Sequence, residues 1–77
     1  MTEFTIRATL ENILEVMDAR RTVNIFRRVD DKHDELIASG KALLLQTNYA
    51  NNKKIMRARV VGLSVTLGDT SILIEEA

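Results

Sequence analysis

Residues 57 to 76, RARVVGLSVTLGDTSILIEE, read as one β-hairpin, because Gly68-Asp69 is a two-residue turn signal between runs of alternating apolar residues. With those two residues as the loop, Leu67 faces Thr70, Val65 faces Ile72 and Leu63 faces Ile74. The apolar pairs then share one face, while Thr66 with Ser71 and Ser64 with Leu73 fall on the other. A slip of one residue would break that sorting. Val60 and Leu73 lie opposite in face to Val61, Leu63, Val65, Ile72 and Ile74, so the second face also carries apolar atoms. These two residues, Val60 and Leu73, are read as an interaction face, met by a dimer partner or by barrel closure.

Working back toward the N-terminus, TNYANNKK (Thr47 to Lys54) has three Asn and no periodic apolar face, and reads as a loop or the end of a preceding helix. That helix is Lys41 to Gln46, good helix formers placed directly after Ser39-Gly40, with Ser39 as the expected cap. Thr22 to Val29, TVNIFRRV, is β-branched and aromatic, with Val23 and Ile25 pointing one way and Phe26 the other. Glu35 to Ala38 returns across the polar break DDKHD, giving a second hairpin in which Ile25 faces Ile37, Phe26 faces Leu36 and Arg27 faces Glu35. Before it, Leu10, Ile13, Leu14 and Met17 have the spacing of a helix with one buried stripe, and Thr9 is its expected N-cap. Phe4 and Ile6 alternate with Glu3, Thr5 and Arg7 as a short strand or extended lead-in.

The expected fold is α+β: a four-stranded antiparallel sheet made from two β-hairpins, with two helices, in the order α-β-β-α-β-β. A small, curved partial barrel is the alternative. Seventy-seven residues without an internal linker, repeat or proline make one domain, 1–77. A core of that size supplies only ~3–5 kcal/mol of net stability, so association into a homodimer is an expectation from size alone. The apolar fraction of 45% and charged fraction of 29% are those of a globular chain rather than a disordered or membrane-embedded one. The opening MTEFTIRATLENILEVM has no basic leader followed by an apolar run, and the chain has no cysteine, which together point to the cytoplasm.

Chemistry-bearing constellations are sparse. The absence of cysteine removes thiolate nucleophiles and thiolate zinc sites. Ser39, Ser64 and Ser71 stand in no nucleophile-elbow context, and Gly40, Gly62 and Gly68 form no phosphate-cradling loop. In DDKHD, residues Asp30, Asp31, His33 and Asp34 could offer ligands to a divalent cation, but calcium-loop spacing is missing and a solvated turn explains them. The reading is therefore non-enzymatic, with no cofactor, no metal and no small-molecule substrate inferred.

Eleven basic and eleven acidic side chains cancel, yet the interval between Glu35 and Asp69 has no acidic residue. Two basic groups stand out: Arg20, Arg21, Arg27 and Arg28 around the first long strand, and Lys53, Lys54, Arg57 and Arg59 entering the third. If those strands were neighbours, the eight could form a stripe that tracks phosphates. Only Phe4, Phe26 and Tyr49 are aromatic, and they make no stacking platform.

The succession LENILEVMD, TVNIF, ELIASGKALLLQ, RVVGLSV and GDTSILIEE resembles small uncharacterised proteins of prophages and other mobile elements of Gram-positive bacteria, over nearly the whole chain. TNYANNKK departs from the tighter versions of that pattern. The resemblance implies a small α+β accessory protein and carries no catalytic motif. The resulting expectation is an accessory or interaction module that binds another protein or itself. A nucleic-acid-binding protein using the eight basic residues is the alternative.

Overall fold

The computed structural model describes the backbone of residues 2 and 3 and all of residues 8–75. Phe4 and Ile6, read above as part of a first strand, lie outside the described residues. In chain order the elements are β1 (Thr2–Glu3), α1 (Leu10–Val16), β2 (Thr22–Arg28), β3 (Asp34–Lys41), α2 (Ala42–Asn48), α3 (Lys53–Met56), β4 (Arg59–Val65) and β5 (Asp69–Glu75). The class is α+β, and both hairpins form.

The sheet is mixed, not wholly antiparallel as expected. Its order is β1-β4-β5-β2-β3. The β2–β3 and β4–β5 hairpins are antiparallel, but they join through β2 and β5 running parallel, with Ile25 beside Ile72 and Phe26 beside Leu73. The adjoining strands β2 and β5 carry consecutive apolar residues, Ile25-Phe26 and Ile72-Leu73-Ile74, which put apolar side chains on both faces of the join. Because β2 and β5 are parallel, β3 and β4 also point the same way. The chain must therefore cross back over the sheet between them, and α2 with α3 makes that crossing. This is why TNYANNKK is not simply a loop. Asn52 caps a third helix, its side chain accepting the Ile55 amide at 3.3 Å. The described residues thus hold three helices where two were expected. The sheet is open, with β1 and β3 at its edges, so the barrel alternative does not hold.

One face of this sheet carries the core. Leu10 and Leu14 from α1, Ala42 and Leu45 from α2, and Met56 with Ala58 pack on Val23, Ile25, Val60, Ile72 and Ile74. Thr9 caps α1 in a reciprocal capping box with Asn12, as Thr9 was expected to do. Ser39 does not cap α2. It stays in β3 opposite Asn24 and donates to its Oδ1 at 2.7 Å, while Lys41 occupies the cap position without a side-chain bond.

Strand register departs from expectation at definite points. Phe26–Leu36 and Arg27–Glu35 pair as expected, but a bulge sets Ile25 opposite Ala38 rather than Ile37. In the C-terminal hairpin Val65 faces Thr70 and Leu63 faces Ile72, a slide of two residues from the expected pairs. A slide of two preserves which side chains share a face. The turn centres on Leu67-Gly68 because Thr66 and Asp69 bond to each other: the Thr66 amide donates to the Asp69 carbonyl at 2.8 Å, and the Asp69 amide donates to Thr66 Oγ1 at 3.1 Å. A second bulge, between Val60 and Gly62, does change faces. It sets Val60 opposite Ile74 and into the core.

Candidate docking groove

The groove begins with the way α1 ends. Leu10 and Leu14 point into the core, Ile13 and Met17 flank them, and Val16 falls outside the stripe at 85% exposure. Met17 is already extended, and Asp18 then starts a tight turn, its carboxylate accepting the Arg20 amide at 2.9 Å. That turn delivers Arg21 to the base of β2, aimed across at the C-terminal hairpin. Arg21 Nε donates to Thr70 Oγ1, and Nη2 donates to the carbonyls of Thr66 and, at 2.9 Å, Asp69. One planar guanidinium thereby ties β2 to both sides of the β4–β5 turn. Thr70 is buried with its hydroxyl satisfied.

Between these elements lies an open groove of about 370 Å³. Ile13, Val16 and Met17 form its helix side, Leu63 and Val65 its strand side, and Arg21 with Thr70 line the rest. The polar atoms of Arg21 and Thr70 bond to each other and to the hairpin, so the groove offers a partner mainly aliphatic surface. Val65 is 62% exposed and Leu67, at the turn, projects completely. Each such side chain would gain about 1.5–3 kcal/mol on full burial, and clustered exposed aliphatics of this kind mark contact surfaces.

The basic residues do not form the expected stripe. β5 lies between β2 and β4, and its Glu75 sits 3.8 Å from Arg28 and 3.5 Å from Arg59. Arg27 is paired with Glu35 at 2.6 Å, and Arg21 holds the hairpin turn. Arg20 is exposed before β2, while Lys53, Lys54 and Arg57 are exposed on and after α3. The structure thus separates the eight residues among distinct roles.

Val60 and Leu73 do not share a face. The bulge turns Val60 into the helix-covered core, fully buried, and Leu73 is 2% exposed on the opposite side beside Phe26. In DDKHD, the Asp30 carboxylate accepts the amides of Lys32 at 2.8 Å and His33 at 2.9 Å, with His33 Nδ1 at 3.0 Å. These bonds, the Lys32 amide first, hold the Asp30 carboxyl below its ordinary range. The cluster closes a turn. Among the described residues, no three His, Cys, Asp or Glu side chains gather to hold a metal, and no helix is long and apolar enough to cross a membrane.

Sequence reasoning missed Val16, Val65 and Leu67 as a surface. Two signals carry it: an aliphatic residue on the outer side of α1 beside Asn12 and Glu15, and a leucine in a turn position that favours polar residues. No family model, curated protein or solved structure matches this chain.

Proposed function

We propose that the chain is a non-enzymatic accessory module that works by binding protein, through the groove between α1 and the β4–β5 hairpin. The observation that carries this reading is the exposure of Val16 and Val65, which line the groove on its two sides, where Arg21 Nε and Nη2 and the Thr70 hydroxyl are already engaged. Arg21 supports it from beneath: by fastening the hairpin to β2 it keeps the strand side of the groove in place before any partner arrives, which lowers the ordering cost of binding. The nucleic-acid alternative draws less support, because Arg21, Arg27, Arg28 and Arg59 already have partners within the chain.

The test is a photo-reactive amino acid at position 16, irradiated in cells that produce the chain. Discrete cross-linked products that vanish in the Val65→Asp background support the reading. Cross-links that persist in that background, or none from position 16, overturn it.

A further inference from the structure

The two edges of the sheet are unequal. At one, β1 has two residues beside β4; at the other, β3 runs for eight, and among the described residues no strand lies beyond it. One side of the β3 backbone therefore offers its amides and carbonyls to a further strand. Native edges are commonly blunted by a proline or a central lysine. β3 has neither: its charges stand at its ends, Asp34 and Glu35 at one and Lys41 at the other, with Leu36 to Gly40 uncharged between them. We infer that this edge, independently of the groove, pairs antiparallel with the β3 edge of a second copy about a two-fold axis between Ile37 and Ala38.

The bulge fixes the register. Directly opposed residues of antiparallel strands share a face, and a two-fold axis through a continuous sheet keeps each face on its own side. An unbroken strand then meets its own copy only at positions an even number apart, which never joins Asp34 to Lys41. In β3 the alternation is interrupted. Leu36 stands opposite Phe26 but Ala38 opposite Ile25, leaving Ile37 as the extra residue. Asp34 and Lys41 consequently share a face, since their partners Arg28 and Thr22 lie an even number of residues apart on the unbroken β2. The reversed strand sets Asp34 opposite Lys41, Glu35 opposite Gly40 and Leu36 opposite Ser39, once on each side of the axis. Opposite charges meet at both ends and no like charges are opposed. Leu36, 53% exposed in the single chain, comes against Ser39 of the second copy. A foreign strand would need a base and an acid at the same two places; the chain's own β3 carries them.

Sedimentation of the unmodified chain from about 10 µM to about 1 mM shows mass rising with concentration, and amide exchange over Asp34–Lys41 slows in step. Asp34→Lys and Lys41→Asp each weaken the association at least about tenfold by opposing like charges. The double variant, Asp34→Lys with Lys41→Asp, restores it to within about threefold. Within one chain the two positions lie about 23 Å apart along the strand, so restoration requires a second copy to bring them together. The exchange measurement needs no variant and decides the matter even where a reversal unfolds the chain. A monomer at every concentration, unchanged exchange over β3, single reversals without effect, or a double variant as weak as the singles overturns the inference.

Discussion

Arg21 shows how one residue can serve packing and surface together. Its guanidinium bonds to Thr70, Thr66 and Asp69, and its stem lines the groove. Arg21→Ala removes the donor to the Thr70 hydroxyl and to the Thr66 carbonyl, while the Asp69 carbonyl keeps the Thr66 amide, and should lower unfolding stability by about 1–3 kcal/mol. Arg21→Lys should recover little, since one ammonium cannot reproduce a planar fork directed at two strands. Denaturant midpoints of both variants check this; an unchanged midpoint for Arg21→Ala would contradict it. This role was not legible beforehand, because arginine beside a strand looks the same whether it meets phosphate or a turn forty-odd residues away. Gly68 misled in a different way. Of the described glycines only Gly40 has positive φ, and a Cβ at Gly68 would meet nothing within 4 Å. The Gly-Asp turn signal found the hairpin but misplaced its centre, since the Thr66–Asp69 bonds chose Leu67-Gly68 instead.

At the level of elements, the DDKHD turn is where the β2–β3 hairpin is expected to respond to acid. A carboxyl whose folded-state pKa is lowered stabilises the fold above its unfolded value of about 3.9 and loses that contribution as pH falls through the lower folded value. Asp30 has such a shift, caused first by the Lys32 amide and next by the His33 side chain. The difference in melting temperature between the native chain and Asp30→Asn should therefore be present at neutral pH and shrink below about pH 4. A difference that stays constant down to strong acid would contradict the assignment. Element types were largely readable: Thr9 and the Leu10–Leu14 stripe marked α1, and Phe26–Leu36 with Arg27–Glu35 marked the first hairpin. The bulges were not. Each depends on which neighbour a strand meets, and at Val60 that choice moved a valine from a supposed outer face into the core.

For the whole molecule, the parallel join of β2 and β5 determines where the groove lies. It places the C-terminal hairpin beside the α1–β2 turn, so Val65 lines the groove with Val16 and Arg21 can reach the hairpin. An antiparallel arrangement of the same two hairpins would not require that neighbourhood. Local patterning revealed the hairpins but not their mutual direction, because the deciding segment, Ala42 to Met56, looked like a helix followed by a loop. Its second helix, α3, completes the return crossing. The central proposal is that the surface placed there binds protein. It is tested most directly by the photo-reactive residue at position 16: discrete cross-linked products that are lost in the Val65→Asp background are predicted, and cross-links that persist in that background, or none from position 16, would contradict it.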